Sequence, residues 1–234
     1  MILSDWLTLA SSTAAMCAAI ISFFTLFELF KQRKASYKPD LCILKRYFSV
    51  KVKGTSSDWY LAGSSREQQA SIKLVNVGVG AAKNINANWT FNLNSLIEEI
   101  NKLAQKAHRN FYIEKKDHFL SIEAHDKSNS MINAKMTDFQ FEYLLASAQD
   151  PQGTTLNLPP SYSYLLPIYI GLHRELELNF NDIKIPSLEL NLSYNDIGKN
   201  QYTSKHNVKC DFHMFSRNKD ENEHLFELYL IEDS

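Results

Sequence analysis

The sequence predicts a mainly β protein: an antiparallel, Ig-like β-sandwich with a helical insertion, preceded by one N-terminal transmembrane helix. Three observations predict it. An uncharged run from Trp6 to Phe27 is followed, after Glu28, by the basic cluster Lys31-Gln32-Arg33-Lys34. Beyond it, short segments alternate apolar and polar residues with a period of two, as half-buried strands do. Between two of them the period switches to that of an amphipathic helix.

At about 1.5 Å of rise per residue the uncharged run extends about 33 Å, enough to cross a hydrocarbon core of ~30 Å. The membrane stop is formed by Lys31, Arg33 and Lys34. Because these charges lie after the run and only Asp5 lies before it, the positive-inside rule places the N-terminus outside and everything after residue 34 in the cytoplasm. A cleaved signal peptide would carry its charge first and a small-residue site afterwards, where this chain has Phe-Glu-Leu-Phe-Lys, so a retained anchor is expected. Ala10, Ala14, Ala18 and Ser22 recur every four residues, beside a second row of Ser11, Ala15 and Ala19. Such rows let membrane helices approach closely and form the candidate helix-association face, with Leu9, Met16, Ile20, Phe23 and Phe27 toward lipid; alanine is also ordinary in membrane helices, so a passive tether is the alternative reading. The helix is expected to reach about Tyr37 and stop before Pro39. The expected division is an anchor over residues 1–37 and a cytoplasmic domain over residues 38–234, with the insertion at about 94–150.

The cleanest strand is Ile85, Ala87, Trp89, Phe91 and Leu93, set between asparagines and Thr90. Leu188 to Tyr194, Val208 to Met214, and Leu176, Leu178 and Phe180 repeat the pattern. Phe48 to Val52, Ile72 to Val77 and Leu225 to Ile231 complete seven short strands, a sandwich-like number. In the insertion, Ser95 with Glu98 forms a capping-box pattern ahead of the apolar stripe Leu96, Ile100, Leu103 and Ala107. Phe119 to Ala124 fits a strand. Phe139 to Ala148 fits a short helix or another strand and is assigned to helix. Tyr162 to Leu172 reads as a helical turn disturbed by Pro167.

Composition narrows function. With 25 basic and 26 acidic residues, and a net charge of −1, the chain offers no field for nucleic acid, and no direct nucleic-acid binding is expected. Three distant cysteines, Cys17, Cys42 and Cys210, form no disulfide framework. His206, Cys210 and His213 suggest a metal, but on a strand His213 points away from the other two, so no metal site is expected without a bulge. Carboxylate pairs such as Glu175 with Glu177, and Glu221 with Glu223, read as solvated. Nucleophile elbow, phosphate loop and zinc-helix motifs are lacking, so neither catalysis nor a cofactor is expected. Asn76-Val77-Gly78-Val79-Gly80 and Asp196-Ile197-Gly198-Lys199-Asn200 read as turns between strands, with glycines supplying positive φ.

The membrane helix, basic stop, Leu74-to-Ile85 motif and Tyr194-to-Tyr202 motif together resemble small bacterial single-pass membrane-anchored β-sandwich proteins. Some of these look like retron-type anti-phage membrane effectors, and the resemblance implies that the membrane crossed is a bacterial inner membrane. The resemblance implies a non-enzymatic effector held by a cytoplasmic protein partner or complex, acting on the lipid bilayer through self-association of its membrane helix. A membrane-tethered interaction scaffold is the alternative.

Overall fold

The computed structural model describes residues 3–53, 56–61, 69–124, 129–134, 137–177, 183–218 and 223–233. Helix α1, Leu3–Ser36, is exposed along its described length, and its Trp6–Lys34 stretch is long and apolar enough to cross a membrane. Its hydroxyls bond back into the helix: Thr13 Oγ1 donates to the Leu9 carbonyl (2.7 Å) and Thr25 Oγ1 to that of Ile21 (2.8 Å). Polar atoms satisfied in this way are compatible with hydrocarbon surroundings. As expected, the helix ends just before Pro39.

The rest is mainly β. Seven antiparallel strands form the large sheet, in the order β3 (Ser56–Leu61), β2 (Arg46–Lys53), β13 (Glu223–Glu232), β12 (Gln201–Asn218), β11 (Leu188–Asn195), β5 (Ala82–Thr90) and β9 (Asp138–Leu144). A second sheet joins β1 (Leu41–Leu44), β4 (Ser71–Asn76) and β10 (Thr154–Asn157), with β4 central. Alternation decides which side of the large sheet is dry. Leu188, Leu190, Leu192 and Tyr194 of β11 are buried beside Ile85, Ala87 and Trp89 of β5 and Val208 and Cys210 of β12. The intervening Asn86, Asn88, Asn191 and Ser193 line a shallow depression on the opposite, wet side. Trp89 is buried, and its indole donates to the Asn157 carbonyl at the end of β10 (3.0 Å), linking the two sheets.

The insertion is only partly helical. Helix α2 spans Leu93–Lys106 and buries Leu96, Ile100 and Leu103 of the predicted stripe, with Ile97 and Ala104 beside them, while Ala107, the fourth stripe residue, is the half-buried C-cap. Its cap is Asn92 rather than Ser95: the Asn92 side chain accepts from the Ser95 N–H (3.1 Å), so the helix starts nearly one turn earlier than the capping-box pattern implies. A third sheet follows, β6 (Phe111–Lys116), β7 (Phe119–Ala124) and β8 (Asn129–Asn133). The segment Phe139 to Ala148, assigned to helix from sequence, instead contributes most of β9 (Asp138–Leu144), which pairs with β5 in register Ile85↔Phe141. Long-range pairing at a free sheet edge overrides a local pattern that fits both states.

Two further expectations are corrected. Pro167 does not break its segment, since Pro160–Glu175 is one helix, α3, with Pro160 in its first turn and Pro167 inside it. Leu176 caps this helix and therefore does not begin a strand; Leu178 and Phe180 lie outside the described residues. Between Ser161 and Leu172 nearly every side chain is buried, with Tyr162 edge-on to Phe91 (5.3 Å).

Candidate functional site

The point where α1 enters the β domain is a densely hydrogen-bonded polar site among the described residues. Asn76 ends β4 and is 1% exposed. Its Oδ1 accepts from the backbone N–H groups of Asp40 and Gly78 (both 3.0 Å), and its Nδ2 donates to the carbonyls of Gly80 (2.7 Å) and Leu144 (3.3 Å). The Val77 N–H donates to the Asp40 carbonyl (2.8 Å), and the Ser147 N–H to that of Asn76 (2.7 Å). One amide side chain thus joins the chain leaving α1, the loop after β4 and the end of β9.

The glycines serve this junction through close approach, not positive φ. A Cβ at Gly80 would lie 1.9 Å from the Tyr37 carbonyl oxygen, and one at Gly78 would lie 2.5 Å from both the Asp40 nitrogen and the Lys38 oxygen. Neither glycine has positive φ. Nor is the segment a hairpin: β4 and β5 belong to different sheets, and the loop crosses between them while wrapping Tyr37 to Asp40.

The second predicted turn lies at the same end of the large sheet. Asp196 caps it as expected, accepting from the Asn200 N–H (2.8 Å), the Asn200 side chain (2.7 Å) and the Tyr202 hydroxyl (3.1 Å). Positive φ falls on Lys199 (64°), however, and not on Gly198. Desolvation pushes the Asp196 carboxyl up, but the hydrogen bonds from Asn200, Tyr202 and Gly198 outweigh it and hold the group below its usual range.

Beside the junction lies a cluster that the sequence did not reveal. His206, 8% exposed, places Nδ1 2.7 Å from Glu232 Oε1 and Nε2 3.0 Å from Ser204 Oγ. The order serine, histidine, carboxylate is that of a nucleophile, its base and an orienting acid. Ser204 nevertheless lies within an extended strand opposite Leu192, and the imidazole is too enclosed to offer a substrate an approach. The arrangement instead joins β12 to the end of β13. Period two puts Ser204 and His206 on one face, but only the β12–β13 register, with Val208 opposite Glu232, brings in the carboxylate. Cys42 faces the same region; desolvation, then the charges of Asp40 and Glu232, push its thiol up and disfavour the reactive thiolate.

The other predicted residues fall as follows. Ala10, Ala14, Ala18 and Ser22 are exposed on α1, and Lys31, Arg33 and Lys34 occupy its last turns, with Lys31 over the Phe27 ring (4.9 Å). The strand carrying Cys210 and His213 does shift register, between Phe212 and Met214. His206 and Cys210 remain four strand residues apart, about 13 Å. Among the described residues no group of three or more histidine, cysteine or carboxylate side chains is arranged to hold a metal. Glu175 pairs with Arg109 (2.9 Å) at the surface, not with Glu177, and Glu221 lies outside the described residues. Comparisons with protein-family models, curated proteins and solved structures found no match.

Proposed function

We propose that this protein is a single-pass, non-enzymatic membrane module whose β domain binds a cytoplasmic protein partner and transmits that contact to its membrane helix. The observation that carries this reading is the junction: an exposed apolar helix enters the domain through four residues held by Asn76, Gly78 and Gly80. A passive tether has no need of such a lock, whereas a device that couples domain to helix does. Lys31, Arg33 and Lys34 favour an N-terminus outside the bacterial inner membrane and a cytoplasmic domain. The large sheet and the β1–β4–β10 sheet are, in this reading, the two layers of an Ig-like sandwich, supported by the Trp89 bond between them. The output follows the resemblance to anti-phage membrane effectors: helices associate through Ala10, Ala14, Ala18 and Ser22 and perturb the bilayer.

Leucine at both Ala14 and Ala18 keeps α1 apolar but holds neighbouring backbones apart. The double variant is expected to insert normally yet lose membrane cross-linking and, on partner-free expression, growth arrest. Unchanged cross-linking and unchanged toxicity would contradict the assembly step. A scaffold without toxicity is the second reading, favoured by the exposed Tyr112, Phe119 and Met131 on the β6–β7–β8 sheet, a surface suited to a protein partner.

A further inference from the structure

We infer that the anchor-facing end of the β domain is a second membrane-contact surface, lying against the headgroup layer of the bilayer that holds α1. The inference rests on the membrane-anchored reading and goes beyond it. Strand directions bring several loops to this end. The exit of β4, the start of β5, the exit of β9 and the β11–β12 turn meet where α1 enters, as the pairs Ala82↔Leu144, Lys83↔Tyr143 and Asn195↔Lys83 require. Large apolar or aromatic side chains stand out from these loops: Val79 is 74% exposed, Tyr143 61%, Val77 53%, Ile197 52% and Tyr37 51%. Half of the exposed large hydrophobic residues outside α1 are therefore gathered here among the described residues.

Their occupant is decided by tethering and charge. Only Tyr37 to Asp40 separate α1 from β1, a reach of at most about 14 Å even fully extended, and here folded tightly around the glycine loop. If the apolar stretch ends at Phe30, Ser36 lies about 9 Å farther along the helix. The headgroup layer is about 5–8 Å thick on each side, and helix tilt of about 20° lowers one edge of the domain toward it. The distances therefore suit headgroup contact, not burial in hydrocarbon. Lys38, Lys83 and Lys199 are exposed at this end, continuing the charge of Lys31, Arg33 and Lys34. Against them stand the exposed Asp40 and Glu142, while the Asp196 carboxylate is turned into its own loop. Lysine beside tyrosine and small aliphatic tips suits an anionic lipid interface.

The test uses the full chain in phosphatidylcholine vesicles, with or without phosphatidylserine. An environment-sensitive nitrobenzoxadiazole label is placed at Val79→Cys or, on the neighbouring loop, Ile197→Cys. The background is Cys17→Ala and Cys42→Ala, retaining the buried Cys210. Emission at both positions is expected to be blue-shifted and at least halved by a nitroxide carried on lipid headgroups. A label at Asn94→Cys, beyond the opposite end of β5, stays unquenched. Replacing Lys38, Lys83 and Lys199 together by Gln removes the additional quenching that phosphatidylserine brings. Water-like, unquenched emission at both loops, from protein that resists alkaline carbonate extraction, overturns the docking surface while leaving the anchor intact. Blue-shifted emission without lipid quenching means that protein covers the surface, and also overturns it. Extraction by carbonate removes the anchor reading itself.

Discussion

Asn76 and Asp196 illustrate how single polar side chains fix the end of this domain that α1 enters. Each is buried and each satisfies several partners, so each acts through the groups it would leave unpaired if removed. For Asp196 this has a pH consequence. Its folded carboxyl lies below the unfolded value of about 3.9, so its contribution to stability is complete above that value and is lost as pH falls through the folded value. Asp196→Ala is therefore expected to cost about 1–3 kcal/mol at neutral pH and to reduce the loss of stability in acid. Urea titrations of both proteins at pH 7 and at pH 3 check this; an equal difference at the two values would contradict the assignment. Asp196 was recognisable from sequence because a cap acts locally. Asn76 was not, since its partners Asp40 and Leu144 lie 36 and 68 residues away. The Ser204–His206–Glu232 cluster was missed for the same reason: strand period can place Ser204 and His206 on one face, but only the β12–β13 register supplies Glu232.

At the scale of elements, what was legible followed periodicity. β5, β11 and α2 each have one wet and one dry side, so their sequences alternate at the period of the element. α3 is buried nearly all round, which removes the periodic signal, and its internal proline suggested an interruption. β9 supplies an edge of the large sheet through pairing with β5, information absent from its own residues. The junction glycines were read as turn formers because a sequence shows that Cβ is missing but not what occupies its place. The strand whose position was clearest offers the sharpest check. Trp89→Ala removes a side chain that is 1% exposed and leaves the Asn157 carbonyl without its donor, so a loss of about 3–5 kcal/mol is expected in chemical denaturation. A loss below about 1 kcal/mol, typical of surface sites, would contradict the packing of the two sheets on each other.

For the whole molecule, α1 and the β domain behave as one mechanical unit if the junction is closed. A membrane helix followed by a loose linker would leave the domain free to tumble, and partner binding would reach the bilayer only through local concentration. In the proposed membrane-anchored reading, a helix held through Tyr37 to Asp40 by Asn76 and the glycine loop instead fixes which end of the domain faces lipid and passes any tilt of the domain to α1. The presence of an apolar helix was evident from sequence; its coupling to the domain depends on contacts between distant segments. Amide hydrogen exchange on the full chain in vesicles tests this most directly, because the Asp40, Val77 and Gly78 N–H groups each have a partner within the junction. They are predicted to exchange as slowly as the β4 ladder, and to become fast in Asn76→Ala while the β11–β12 ladder stays protected. Exchange of all three at the rate of an open chain in the unsubstituted protein would contradict the coupled junction.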